Sequence, residues 1–358
     1  MGIDGILKKA IEQDASDIFI VSNLAVTFKI EGKLVPVTDD LVWPDDTEKI
    51  INELYTLAKG RDKGARSKRI LNETGEDDFS CSLKGIGRFR VNVFLQRGTL
   101  GAVIRVINFD MPNPDELNIP EAVMQLADNT NGLVLVTGPA GSGKSTTLAC
   151  IIDRINRSRQ GNIITMEDPI EFIHQHKKSI VIQREVQSDS KSYASALRAA
   201  LRQTPNVLLL GEMRDLASIE NAMTAAETGQ LIFSTLHTMG AANTINRIID
   251  VFPPNQQQQI RVQLSMTLKA VVSQQLLPTT NGKLVPAFEI MLSNLAIQNL
   301  IREGRTVQID NAIYTGTNEG MVNMDSSLLK LYEQGQITKQ QAIVHANNHE
   351  AMKQRLSK

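Results

Sequence analysis

The 358 residues carry 38 Lys and Arg against 39 Asp and Glu, with 42% hydrophobic, 22% charged and 4% aromatic residues. That balance is ordinary for a globular protein and excludes the net basic surface of a general nucleic-acid binder, while few aromatics argue against a single-strand track built on base stacking. Two cysteines far apart, Cys81 and Cys150, form no zinc-ligand spacing and fit a reducing compartment. No apolar run approaches the roughly 20 residues that span a bilayer, and residues 1 to 9 lack the apolar core of a signal peptide. A cytoplasmic chain of two domains with no direct membrane insertion is therefore expected.

In chain order, residues 3 to 13 read as an amphipathic helix, and 18 to 21 and 26 to 30 as short strands. Glu31-Gly32-Lys33 is a hairpin signal into a third strand. Trp43-Pro44-Asp45-Asp46-Thr47 opens a helix, with Asp46 or Thr47 as its cap. Lys59, Arg61, Lys63, Arg66, Lys68 and Arg69 read as an exposed loop or helix end rather than a nucleic-acid patch. Strands are predicted at 79 to 83 and 88 to 95, paired around Lys84-Gly85-Ile86-Gly87, and again at 102 to 107. Residues 1 to 110 thus form a mixed α/β domain, and Pro112, Pro114 and Pro120 mark a linker at 111 to 120.

From 121 to 358 strands alternate with helices, with strands predicted at 133 to 137, 162 to 166, 207 to 211 and 231 to 235. Apolar runs such as Val207-Leu208-Leu209-Leu210 suit a parallel sheet buried on both faces, which predicts a three-layer α/β nucleotide-binding core. From about residue 256 the pattern reads as helical. Thr338-Lys339-Gln340-Gln341 resembles a capping box that opens the last helix.

Gly138-Pro139-Ala140-Gly141-Ser142-Gly143-Lys144-Ser145 follows the strand at 133 to 137, the setting a phosphate-binding loop requires. Glycines at 138, 141 and 143 let backbone N–H groups approach a polyphosphate without a Cβ in the way. Lys144 would reach the β- and γ-phosphates of a nucleoside triphosphate, and the Ser145 hydroxyl would take a place on Mg²⁺. Thr146 continues into a helix whose positive end faces the phosphates. Cys150 falls in that helix as a buried free thiol.

Three further strand ends carry polar chemistry. Glu167, in Thr165-Met166-Glu167-Asp168-Pro169, is the candidate to orient or deprotonate an attacking water, or else belongs to a solvated turn or salt-bridge network. In Leu210-Gly211-Glu212-Met213-Arg214-Asp215, Gly211 stands where an Asp usually stands, which assigns the Mg²⁺ shell to Glu212. Arg214 and Asp215 pair with each other, cap the next helix or touch ligand. His237 ends the strand at 231 to 235 and reads either as structural or as a sensor of the γ-phosphate. His174 and His176 read as surface or interface residues with no third metal ligand nearby. Arg88, Arg90, Arg97 and Arg105 cluster on or beside the N-terminal strands, either as a basic sheet face or as groups that neutralise transition-state charge.

These clusters, in this order and spacing, resemble the secretion and type IV pilus ATPase superfamily, most closely its PilT-type pilus retraction branch. The matching stretches are 138 to 147, 165 to 172, 183 to 186, 196 to 202, 211 to 216, 225 to 229 and 235 to 238, with 88 to 92 in the first domain. Ala296 to Glu303 is similar to a C-terminal signature associated with retraction, with Gln298 in place of its usual first Arg; Gln230 likewise stands where a second His is usual. The resemblance implies a PAS-like N-terminal domain joined to a RecA-like P-loop ATPase domain, assembled as a homo-hexamer, with ATP between the two domains. It implies that Ser145 and Glu212 hold Mg²⁺, that Glu167 acts on water, that His237 belongs to a histidine box and that Arg247 contacts nucleotide. It also gives Arg88, Arg90 and Arg105 a reason to face a nucleotide. The expected function is an ATP-driven pilus retraction motor working on an inner-membrane platform protein, with no nucleic-acid partner. The alternatives are an extension or type II secretion ATPase, or a RecA-like nucleic-acid motor.

Overall fold

The computed structural model describes residues 2–58, 66, 68–107 and 111–357. They fall into two units, the described residues of the first lying within 2–107 together with 171–173 and those of the second within 111–170 and 174–357. In the first, helix α1 (Ile3–Glu12) precedes strands β1 (Asp17–Val21), β2 (Leu24–Ile30) and β3 (Lys33–Val42). Helices α2 (Pro44–Leu57) and α3 (Arg69–Thr74) follow, then β4 (Glu76–Leu83), β5 (Gly87–Gln96) and β6 (Thr99–Ile107). The six strands pair antiparallel in the order β3-β2-β1-β6-β5-β4.

Alternation sets the faces of this sheet. Phe89, Val91 and Val93 of β5 are fully buried in one core with Ile6 and Leu7 of α1 and Ile51 and Leu54 of α2, while Arg88, Arg90 and Asn92 point to the other face. The β2–β3 hairpin turns at Glu31 and Gly32, both with positive φ (50° and 79°), the pair of conformations that matches the twist of the strands. The cap of α2 is Trp43 rather than Asp46 or Thr47: Pro44 takes the first helical position and Asp46 Oδ2 accepts the Trp43 N–H at 3.2 Å. Lys59, Arg61 and Lys63 lie outside the described residues, but Arg66 is no exposed loop residue. Its guanidinium donates to both Asp77 oxygens (3.0 and 2.9 Å), and the same carboxylate accepts from Tyr55 Oη.

The second unit opens with α4 (Glu121–Met124), β7 (Gly132–Thr137), α5 (Lys144–Ser158), β8 (Asn162–Glu167) and β9 (Ile180–Glu185). It continues with α6 (Tyr193–Ala200), β10 (Val207–Leu210), α7 (Leu216–Glu227), β11 (Leu231–Leu236), α8 (Ala241–Asp250) and α9 (Pro254–Thr267). Strands β12 (Leu268–Pro278) and β13 (Leu284–Leu292) precede helices α10 (Leu295–Arg302), α11 (Ile309–Thr315), α12 (Met324–Glu333), α13 (Lys339–His345) and α14 (His349–Arg355). The sheet runs β13-β12-β7-β11-β10-β8-β9, parallel except for the β12–β13 hairpin. Leu133, Leu135, Leu208, Leu210 and Ile232 enter one core, and Val134, Val136, Val207, Leu209 and Phe233 enter another with Leu148 and Ile151 of α5. Both faces are covered, which is why these strands are apolar at consecutive positions.

Two expectations need correction. The region after 256 is not helical throughout, because β12 and β13 widen the sheet beside β7. Ser273, Gln274 and Gln275 interrupt the apolar pattern of β12 yet are buried, since each has a partner: Gly240 N–H, Thr147 Oγ1 and His345 respectively. The capping box at Thr338 and Gln341 forms, with bonds of 3.2 and 2.8 Å, but it opens α13; a further helix, α14, follows, capped by Asn348.

Candidate functional site

Strands β7, β11, β10 and β8 are neighbours and parallel, so their C-terminal ends share one edge of the sheet. At that edge stand the loop after Thr137, His237 after β11, Glu212 after β10 and Glu167 at the end of β8. An open α/β sheet receives ligands along this edge.

The loop is shaped from the side as well as by its own glycines. Gly138 has φ +138°, and a Cβ there would lie 2.1 Å from the backbone oxygen of Gln274. A Cβ on Gly143 (φ +87°) would lie 2.8 Å from Gln274 Nε2, whereas one on Gly141 (φ +75°) would meet nothing within 4 Å. Gln274 also accepts the Thr147 hydroxyl at 2.8 Å, so β12 walls the loop and pins the first turn of α5. Pro139, Ala140 and Ser145 are exposed, Thr146 is half-buried, and Ser142 is buried. The hydroxyls of Thr137 and Ser142 have no hydrogen-bond partner among the described residues. Lys144 begins α5 and its Nζ donates to the carbonyls of Gly138 (2.9 Å) and Pro139 (2.8 Å). Cys150, behind it, is buried, and burial pushes its thiol up to about 11.

The carboxylates are held by neighbours from different strands. Glu167 Oε1 accepts from Thr165 Oγ1 at 2.6 Å and from Gln183 Nε2 at 3.3 Å. Glu212 pairs with Arg214 Nε (2.6 Å) and lies 3.5 Å from His237 Nε2. Asp215 turns to α7 instead and caps it through the Ser218 N–H at 2.9 Å. Glu212, Arg214, Thr235, His237 and Arg247 line one cleft of about 350 Å³. The fold brings Glu212, His237 and Arg247 together from three different parts of the chain.

Tyr193 was missed. Its hydroxyl lies 2.7 Å from where a Cβ of residue 211 would be, so the side chain of α6 fills the volume beside Gly211. Burial, and then the negative charge of Glu212, Asp168 and Glu167, raises its ionisation far above the usual phenol range and keeps it a neutral donor. Gln274 was missed as well, and its signal was present: a Ser-Gln-Gln triplet inside an otherwise apolar run.

His174 corrects another expectation. It is buried, which removes the surface alternative of the surface-or-interface reading, and Nδ1 has no partner among the described residues. Burial pulls its ring down to about 4, with Asp153 opposing and Lys177 adding to the effect. His176 is exposed and accepts the Val181 N–H at 3.0 Å.

In the first unit, the register aligns Ser80, Arg90, Arg105, Asp17 and Lys29 across five strands. Arg105 Nε sits 3.0 Å from Asp17 Oδ1, so its charge is already paired. Arg88 and Arg90 share that face. Arg97 does not join them, because with φ +48° it forms the tight turn between β5 and β6.

A family model described as Type II/IV secretion system protein matches residues 2–357. The chain belongs to this family. Among relatives of this secretion-system protein, it is 41% identical over 342 residues to the "Type IV pilus retractation ATPase PilT" of Pseudomonas aeruginosa, covering 96% of this chain and 97% of that protein. It is 38% identical over 349 residues to the "Type IV pilus ATPase PilU" of the same organism, covering 97% and 89% respectively. A crystal structure of the pilus retraction motor PilT with bound ADP superimposes with a TM-score of 0.90 at 43% identity, covering 99% of each chain. The α/β ATPase architecture expected from the motifs is therefore the fold of this family member. Among the described residues no helix is long and apolar enough to cross a membrane, and no three His, Cys, Asp or Glu side chains cluster as a metal site.

Proposed function

We propose that this chain is an ATP-hydrolysing motor that powers type IV pilus retraction, as a homo-hexamer acting on an inner-membrane platform protein from the cytoplasmic side. The observation that carries the reading is the shared sheet edge at which loop 138 to 145, Glu167, Glu212 and His237 meet, in a chain that aligns along its length with a retraction ATPase.

The loop fits a polyphosphate. Space is open beside Gly141, and the Thr137 and Ser142 hydroxyls are buried there with bonding capacity to spare. Backbone N–H groups at the start of α5 and the Lys144 ammonium would bind the phosphates, because the helix N-terminus and the lysine both present positive charge. Ser145 and Glu212 would hold Mg²⁺, which supplies positive charge to the β- and γ-phosphate oxygens as negative charge develops on them. Glu167 would orient or deprotonate the attacking water. His237 and Arg247, which share a cleft with Glu212, would contact the nucleotide and report on its γ-phosphate.

The rival reading is an extension or secretion ATPase of the same family, and one experiment separates them. Deleting the gene from its host should leave cells with excess surface pili and no twitching movement. Cells without pili would assign the chain to extension.

A further inference from the structure

Glu167 is set in place by its neighbours rather than by its own strand end. Thr165 and Gln183 are direct register partners on the parallel strands β8 and β9, and each donates to Glu167 Oε1. Thr165 is fully buried and close in sequence, so its contribution comes with the strand. Gln183 is different. Its Oε1 accepts the backbone N–H of His174 at 2.8 Å, while its Nε2 faces Glu167. An amide carries one acceptor end and one donor end, and this orientation is the one that satisfies both neighbours. Reversed, it would set oxygen against carboxylate and NH₂ against N–H. A carboxylate at 183 would serve His174 but repel Glu167, and an aliphatic side chain would serve neither.

We propose that Gln183 is a positioning residue for hydrolysis, which fixes the plane of the Glu167 carboxylate by joining it to the backbone at His174. The inference rests on the reading of Glu167 as the group that acts on water. A base held by two donors from adjacent strands keeps its oxygen aimed through each cycle, and a loss of aim of about 1 Å costs on the order of a hundredfold in rate.

The test uses ATP turnover of the full-length protein with Mg²⁺, across pH, for wild type, Gln183→Ala, Gln183→Glu and Glu167→Gln. Gln183→Ala should lower kcat roughly tenfold to a hundredfold, with KM for ATP little changed. Gln183→Glu keeps the acceptor for His174 and places a second carboxylate beside Glu167. Its acid limb of kcat should therefore move to higher pH by about one unit. A wild-type kcat in Gln183→Ala, or an unmoved acid limb in Gln183→Glu, overturns the inference provided Glu167→Gln is inactive. If Glu167→Gln itself turns over normally, the underlying assignment of Glu167 fails instead.

Discussion

Acidification should loosen the second unit through one side chain, His174. The residue is 7% exposed, and burial holds its ring near a pKa of about 4 against an ordinary value of 6.5. The sign follows from where the proton binds. Between those values the unfolded chain takes up a proton that the folded chain refuses, so stability is complete above about pH 6.5 and is lost as pH falls through about 4. One pKa unit is worth about 1.4 kcal/mol, so roughly 2 kcal/mol should be gone by pH 5 and about 3 kcal/mol below pH 4. The groups around the ring, Asp153 and Lys177, carry opposite charges and do not reverse this direction. Hydrogen exchange of the β8 and β9 amides, compared at pH 7 and pH 5 with rates corrected for intrinsic pH dependence, measures the local change. His174→Gln has no proton to take up there, so its opening free energy should shift by about 2 kcal/mol less than that of wild type over the same interval. Equal shifts in the two proteins would refute the assignment.

Lys144→Ala should abolish nucleotide-dependent activity, because the loop loses its only side-chain cation, and Glu212→Ala should lose turnover while retaining ATP binding measured by a labelled nucleotide. Normal turnover in the Glu212 variant would remove that carboxylate from the Mg²⁺ shell. Arg88→Ala and Arg90→Ala should slow hydrolysis with unchanged thermal unfolding, by as much as 10³-fold or more if either acts as an arginine finger. Unchanged rates would return both to a basic sheet face.

The strands that carry the site were legible because their sequences are mostly apolar at consecutive positions and lead into a functional group. Loop 138 to 145 declares itself by spacing, and Glu167, Glu212 and His237 each close a core strand. The polar residues that support the site were harder to read. Gln274 and Gln183 gain their roles from tertiary contacts that a linear scan does not show: Thr147 lies on α5, and His174 lies in the loop between β8 and β9. The place of Tyr193 depends on the missing side chain at Gly211, 18 residues further on. The partner of Arg105, Asp17, is 88 residues away and is joined to it by the pairing of β1 and β6.

The wall that Gln274 builds against loop 138 to 145 has a consequence for synthesis. Its bond to Thr147 joins residues 127 apart, a stretch that a ribosome needs roughly 6 to 25 s to make at about 5–20 residues per second. For that interval the nascent chain holds the glycines without the strand that shapes them, and α5 without its lateral tie. ATP affinity would serve as a report that the chain has reached β12, and fragments ending before Leu268 should neither retain nucleotide nor be stabilised by it.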